Sequence, residues 1–333
     1  MRRRPRTDWH ALKAAVLDCL QRSGTFPPST RIDGRLRFLD AGLNHDNFVF
    51  RPLADEPLAS VADGLVLRRM RCDPSDASGC ATAMARLRAE AGTLRVLEAL
   101  PCDFDAPRSV CFAEDPDGVA RGFIETALMG WPLKLFKEGD GRSRAAISAI
   151  ARAAAAIHGT PTECFTFLPS HIDSRTHLLA ELAGIDSACA GQSAHADAAI
   201  TWIHGHLPAE RPAVLLHGDL LPQNLLLDLE SQRLAVVDWE YAKIGDPACD
   251  LAIVTRGNRR LLGIEHGVRG LVDAYREAGG EAIEPADVVV WELVLVLRWL
   301  KESAQAKRAG KAEGQPPDFY QNQLRAILRR ARG

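Results

Sequence analysis

The sequence is short of the features that mark several protein classes. Nowhere does it hold the roughly 18 to 20 apolar residues in a row that a membrane-spanning helix needs. Its most apolar run, Val288 to Leu300, is shorter and contains Glu292 and Arg298. An excess of one charge is also missing, since 41 Lys and Arg face 43 Asp and Glu, which leaves −2. That balance argues against a broad basic footprint for nucleic acid or for an anionic membrane. Eight cysteines stand at 19, 72, 80, 102, 111, 164, 189 and 249 without a CxxC pair or regular spacing. Zinc sites and disulfide frameworks need clustering, so the expectation is reduced, mostly buried thiols in a cytoplasmic protein. A bond between Cys72 and Cys80 is the alternative. Arg2, Arg3, Arg4 and Arg6 resemble the start of a signal peptide, but Asp8 to Lys13 is charged where an apolar core is required. Secretion is therefore not expected, and the arginines read as the solvated end of a first helix.

What is present suits a globular enzyme. The 333 residues are 47% hydrophobic and 25% charged, enough apolar surface for a folded core and, at roughly 150 residues each, for two domains. Helical periodicity over residues 8–22 puts Trp9, Leu12, Val16, Leu17 and Leu20 on one stripe, and Ser23-Gly24 stops it. Arg35 to Leu39, Asn47 to Leu53 and Leu65 to Met70 read as strands. An inserted helix from about Ala81 to Leu100 follows, then strands at Arg108 to Ala113 and Val119 to Thr126 around the turn Asp115 to Gly118. Beyond Met129 to Pro132 the pattern is largely helical: Ala145 to His158, Thr176 to Leu182, Ala194 to Leu207, Gly267 to Ala278 and Ala286 to Ala304. Short strands at Ala213 to Leu216, Leu225 to Leu227 and Leu234 to Val237 interrupt it. Ala304 to Pro317 reads as a flexible link to one last helix. These elements place an N-terminal domain at 1–127 and a C-terminal domain at 128–333.

The chemistry concentrates in Leu216-His-Gly-Asp-Leu-Leu-Pro-Gln-Asn-Leu225, in Val236-Val-Asp-Trp-Glu240 and in Gly245-Asp-Pro-Ala-Cys-Asp-Leu-Ala252. Asp219 and Asn224 lie five apart in a Pro-containing loop after an apolar strand, and Asp238 ends the next one. Two carboxylates and an amide oxygen are hard ligands of the kind Mg²⁺ accepts while drawing its remaining oxygens from water and phosphates. A carboxylate left off the metal can take a proton from an attacking hydroxyl, the division of labour found in phosphoryl transfer. Asp and Asn are also turn and capping residues, the plainer reading of each one alone.

The ordered set H-G-D-L-x-x-x-N, D-W-E and G-D-P-x-x-D-L-A resembles the aminoglycoside phosphotransferase/choline kinase family over roughly Leu36 to Tyr275. The resemblance implies an α+β, bilobal, protein-kinase-like fold. Its small N-terminal lobe would hold a five-stranded antiparallel sheet plus a helix, and its larger C-terminal lobe would be mostly helical. It also implies an ATP- and Mg²⁺-dependent enzyme that phosphorylates a small-molecule hydroxyl acceptor. By the same resemblance Asp219 is the catalytic base, Asn224 and Asp238 hold the metal, His217 braces the catalytic loop, and Asp250 supports that loop through backbone hydrogen bonds.

In the small lobe, Asp40 to Phe50 stands where the family covers the phosphates. Gly42 is its only glycine, so an ordinary hairpin is the alternative. Arg68 takes the place of the phosphate-pairing Lys, and Glu90 resembles its partner. A solvated surface pair is the competing reading, with Arg69 a rival for the role. Backbone groups of Glu125 and Ala127 would hydrogen-bond the adenine edge. For the acceptor, the basic stretch Thr255 to Arg260 disfavours a polycation, or it is simply a solvated helix end. Trp291 and Trp299 read as core rather than as an aromatic cage. The alternative function is a pseudokinase-like nucleotide-binding or scaffold module, favoured only by the glycine-poor loop and by Arg68.

Overall fold

The computed structural model describes residues 8–39, 45–55, 61, 64–71, 76–113, 119–133, 142–191, 193–255, 267–308 and 316–332. Gly42, Cys72, the turn 115–118, Arg256, Arg259 and Arg260 lie outside them. The chain divides into two compact units, one of residues 1–101 and 105–130, the other of 102–104 and 131–333.

The first unit opens with helix α1 (Trp9–Arg22), whose first turn is capped by the Asp8 carboxylate accepting from His10 N–H and Ala11 N–H at 3.0 Å each. A cap of this kind is worth about 1 kcal/mol. Burial of Leu12, Val16 and Leu20, at roughly 1.5 to 3 kcal/mol per side chain, weighs more, so packing rather than capping holds the helix. Strands β1 (Arg31–Leu39), β2 (His45–Leu53) and β3 (Leu65–Met70) come next, then α2 (Ala77–Ala99), β4 (Ser109–Ala113) and β5 (Gly122–Thr126). The five strands form one antiparallel sheet in the order β1-β2-β3-β5-β4.

Alternation along the strands gives this sheet two different faces. Phe48, Phe50, Leu65, Leu67 and Ile124 join the α1 stripe in one apolar cluster. The opposite face carries Val66, Arg68, Phe123 and Glu125, and there α2 packs, with Glu90 reaching Arg68 and Arg95 lying over the Phe112 ring. Trp9 is half exposed, yet it still closes edge-on against Phe48 with ring centroids 5.6 Å apart.

The second unit contains the two-residue strand β6 (Trp131–Pro132), helices α3 (Arg142–His158), α4 (Ser174–Cys189) and α5 (Ala194–Gly205), and strands β7 (Val214–Leu216), β8 (Leu225–Leu227), β9 (Leu234–Val236) and β10 (Lys243–Gly245). Helices α6 (Ala248–Thr255), α7 (Gly267–Glu277), α8 (Pro285–Arg308) and α9 (Pro317–Arg332) complete it. Strand β7 pairs with β10, and β6, β8 and β9 form a second small sheet. Helix α8 is the centre of the unit: Val288 to Leu297 are all buried, and α4, α5, α6, α7 and α9 pack around it.

Three differences from the sequence expectation have physical causes. Helix α6 was not expected, because all eight of its residues are buried and no polar face marks a helical period. The expected link from Ala304 starts later, since α8 continues to Arg308 and ends on Lys307 and Arg308, which suit a helix C-terminus. Cys80 is disulfide-bonded, which corrects the reading of eight reduced thiols, whereas Cys19, Cys102, Cys111, Cys164, Cys189 and Cys249 are in the thiol form. Among the described residues no helix is long and apolar enough to cross a membrane.

Glu292 is an anomaly in the core of α8. It is fully buried and paired with Arg330 of α9. Burial pushes its carboxyl up to about 7 despite the attraction of Arg330. A carboxyl raised in the folded state stabilises the fold only while protonated, so stability declines as pH rises from the unfolded value of 4.5 through about 7. Glu292→Gln mimics the protonated form, and Arg330, itself 43% exposed in its side chain, is then solvated. The variant is expected to gain up to about 3 kcal/mol at pH 8 and little at pH 5. Urea midpoints measured across that range check this, and a wild-type midpoint that fails to fall between pH 5 and 8 contradicts it.

Candidate active site

The apolar strand β7 ends at Leu216 and delivers His217, Gly218 and Asp219 into a loop that returns at Asn224 to start β8. Gly218 has φ +78°, and a Cβ there would lie 2.1 Å from the Tyr241 carbonyl oxygen, so only glycine permits this close passage. Backbone bonds from Leu221 N–H to Asp219 O (2.7 Å) and from Asn224 N–H to Leu221 O (2.8 Å) tighten the loop.

Asn224 is the hub. Its Nδ2 donates to the Asp219 carbonyl at 2.9 Å and to the Asp219 carboxylate at 3.2 Å. Both partners are acceptors, which assigns the amide: Nδ2 faces Asp219 and Oδ1 is the other terminus. The Asn224 backbone carbonyl accepts from Val237 N–H at 2.9 Å, which brings the end of β9 and the next residue, Asp238, beside it. Asp238 holds φ +72°, a left-handed backbone that Asp tolerates better than most residues and that recurs at functional sites. One loop thus joins Asp219 to Asn224, and one strand pair sets the Asp238 backbone next to Asn224. Asn224 is buried, and Asp219 and Asp238 are half-buried.

Asp250, in the first turn of α6, is completely buried. Its Oδ2 accepts from His217 N–H and its Oδ1 from Gly218 N–H, both at 2.8 Å. The His158 ring bonds Oδ2 through Nε2 at 3.3 Å and meets the Tyr275 hydroxyl through Nδ1 at 2.8 Å. That hydroxyl accepts from Glu281 N–H, so its proton goes to Nδ1 and the His158 proton sits on Nε2. Burial alone would push the Asp250 carboxyl up. The His158 hydrogen bond, joined by that of the Gly218 N–H, outweighs it and holds the pKa below its ordinary value. The His217 ring donates through Nε2 to Val237 O at 3.0 Å and accepts from Asp219 N–H through Nδ1 at 3.2 Å. It thereby ties the loop to the strand that precedes Asp238.

The Gly245-Asp246 step is fixed in a similar way. A Cβ at Gly245 would lie 2.4 Å from His177 Nδ1, and that nitrogen accepts the Asp246 N–H at 3.0 Å. Burial, then the charge of Lys243, lowers the His177 pKa to about 2, which keeps the ring neutral and Nδ1 an acceptor. Asp246 also accepts from the Trp291 indole at 2.8 Å and from Ala248 N–H at 3.0 Å. Trp291 is therefore a buried bracing residue and not an open aromatic wall.

In the N-terminal unit, Arg68 of β3 reaches Glu90 of α2, with Nη2 to Oε1 at 3.2 Å and side chains 5% and 0% exposed. The solvated-pair reading is excluded by that burial. Arg69, the rival cation, is instead bound to Asp46 at 2.6 Å. Glu125 and Ala127 follow in and after β5, but the Ala127 N–H donates to Gly64 O at 2.9 Å. The Ala127 amide is thus engaged within the unit, and its carbonyl is the backbone group that the bond leaves for a ligand.

Sequence reasoning missed His158 and Tyr275. Neither stands in a motif, and the links of His158 to Tyr275 and Asp250 span 117 and 92 residues; the one signal was a lone His closing an alanine-rich helix. Among the described residues no group of three or more His, Cys, Asp or Glu side chains is arranged to hold a metal. The set Asn224 and Asp238 is instead of the sparse, all-oxygen type that suits Mg²⁺ shared with phosphates.

Comparison with known proteins identifies the fold and the family. Acyl-CoA dehydrogenase family member 10 of Mus musculus is 43% identical over 54 residues, 16% of this chain and 5% of that protein, so the chain spans only a small part of this curated relative. The solved structure of macrolide 2'-phosphotransferase type I superimposes with a TM-score of 0.66 at 18% identity, covering 97% of this chain and 99% of that one. The GDP complex of wild-type aminoglycoside 2'-phosphotransferase-IIIa gives a TM-score of 0.67 at 15% identity, covering 96% and 99%. These likenesses establish the fold, which is the protein-kinase-like fold expected from the sequence. Residues 38–307 match the phosphotransferase enzyme family, and with most of its length inside that match the chain belongs to this family.

Proposed function

We propose that the protein is an ATP-dependent phosphotransferase that moves the γ-phosphoryl group to a hydroxyl of a small-molecule acceptor, a metabolite or an antibiotic. Asp219 orients the acceptor hydroxyl and takes its proton as the oxygen attacks phosphorus. The bond from phosphorus to the β–γ bridging oxygen breaks, and ADP departs. Asn224 and Asp238 would hold Mg²⁺, which supplies charge neutralisation at the phosphates. Arg68, held by Glu90, would meet phosphates of the nucleotide, and backbone groups of Glu125 and Ala127 would hydrogen-bond the adenine edge. The N-terminal unit thus serves the nucleotide, and the C-terminal unit carries the catalytic groups and the acceptor. An enzyme that consumes ATP belongs in the cytoplasm, where that substrate is abundant.

The observation that carries this reading is the double engagement of Asn224, whose amide grips Asp219 while its backbone carbonyl is bonded beside Asp238. Such catalysis is mostly positioning and electrostatics, for which a rigid loop is the main requirement. The test is ATP consumption by the full chain against a panel of amino alcohols, sugars, aminoglycosides, macrolides and hydroxy amino acids. One acceptor class is expected to be turned over. Mg²⁺-dependent ATP binding with no transfer to any acceptor would favour the nucleotide-binding module instead.

Asp238→Ala separates the two carboxylates. The variant is expected to lose the thermal shift that Mg-ATP gives the wild type, and the free protein to melt somewhat lower, because alanine tolerates the φ of +72° less well than Asp. At 100 Kd of nucleotide that shift represents about 2.7 kcal/mol in the wild type. An undiminished shift in the variant removes Asp238 from the metal site.

A further inference from the structure

We propose that the side chain of Glu125 is a positioning residue for Arg68, clamping with Glu90 two corners of one guanidinium so that the cation offered to the nucleotide has a single orientation. This deepens the phosphotransferase reading and rests on it. In the sheet Arg68 lies opposite Phe123 and Val66 opposite Glu125, so Arg68 and Glu125 are diagonal neighbours on one face. Arg68 Nη1 is 4.0 Å from Glu125 Oε1, and Nη2 is 3.2 Å from Glu90 Oε1. His45 Nδ1, from β2, stands 3.5 Å from the same Nη2.

The charges explain why a second acid needs a purpose. The three side chains are only 5%, 0% and 6% exposed, and Glu90 alone suffices to neutralise Arg68. A further buried carboxylate is costly unless it does something the first cannot. What it adds is geometry. A guanidinium is planar and has separate donor corners, so ion pairs of two acids with different amino groups, at 3.2 and 4.0 Å, act on its tilt as well as on its place. A lysine ammonium is a point charge that two such acids could not orient, which is a reason for Arg at this position. The clamp is also built on β3, β5 and α2 rather than on a loop, which keeps it rigid.

The test measures kcat, both KM values and the Mg-ATP Kd by calorimetry for wild type and Glu125→Gln, each with and without Arg68→Ala. Glu125→Gln is expected to raise the nucleotide KM and Kd about tenfold, within the range of coupling between contacting charged groups, and to leave the acceptor KM unchanged. In the Arg68→Ala background the same change is expected to add nothing. A Glu125→Gln protein that binds Mg-ATP like the wild type overturns the inference, as does an equal loss in the Arg68→Ala background. A second readout needs no nucleotide and no substitution of Glu125. Nitrogen-detected NMR of wild-type arginines, with Arg68 assigned from an Arg68→Lys spectrum, is expected to show separate, slowly rotating Nη signals. A single averaged signal refutes the clamp. Should the wild type bind no Mg-ATP, the phosphotransferase reading fails while this NMR result still decides the clamp.

Discussion

Asp219→Asn is expected to lower kcat by about 10² to 10⁴, the usual worth of general-base action, and to leave Mg-ATP binding close to that of the wild type. The substitution keeps the shape of the side chain and one oxygen for the Asn224 amide, but it removes the ability to take a proton. The backbone bonds that hold the loop do not depend on the charge. Leu221 N–H and Asn224 Nδ2 both bond the Asp219 backbone carbonyl, and the Asp219 N–H bonds His217 Nδ1. The loss is therefore confined to the barrier, about 3 to 5 kcal/mol of it, and shows as a fall in kcat at an unchanged melting temperature. Wild-type turnover in this variant would take Asp219 out of the mechanism.

The parts of the fold legible in the sequence are those whose burial leaves a period. Helix α1 sits half in water, so Leu12, Val16 and Leu20 stand out at helical spacing, and Leu65 to Met70 reads as a strand because apolar and turn residues bound it. Helix α6 and strand β10 leave no such trace. The first is buried on every side, and the second is three residues long and exists because Lys243 to Gly245 pairs with Leu216 to Val214. Long-range pairing of that kind has no local signature.

A similar division runs through the site. Asp219, Asn224 and Asp238 stand in the loops that flank consecutive short strands, so their closeness along the chain shows in linear spacing. His158 and Tyr275 act through contacts made by α3 and α7, far away in sequence. The position of Glu125 in β5 was readable, and resemblance directed attention to its backbone. Its side chain points to Arg68 only once β3 and β5 are paired in register, information a single sequence does not contain. The disulfide at Cys80 is only an alternative at the level of sequence, because isolated cysteines in a balanced, non-secretory composition favour thiols. Composition describes the compartment, whereas a bond depends on local geometry.

Asp250→Asn is expected to be the most damaging of the conservative substitutions, costing about 3 to 5 kcal/mol of stability and a fall in melting temperature on the order of 10 °C. Three donors converge on this carboxylate: His217 N–H and the His158 Nε2–H at Oδ2, and Gly218 N–H at Oδ1. An amide can offer an oxygen to one side only, and its NH₂ then faces a donor in a site with no water access. The pH dependence has a definite sign. Because the folded pKa of Asp250 is lowered, its contribution is complete above the ordinary carboxylate range and disappears as pH falls through the lowered value. The variant should therefore lie furthest from the wild type at neutral pH and approach it in acid. Chemical denaturation from pH 2 to 7 checks both size and direction, and a constant difference across that range contradicts the argument. Activity distinguishes the two aspartates: Asp219→Asn loses rate while keeping stability, whereas Asp250→Asn loses both, since the N–H groups it releases belong to His217 and Gly218, the residues that carry the chain into Asp219.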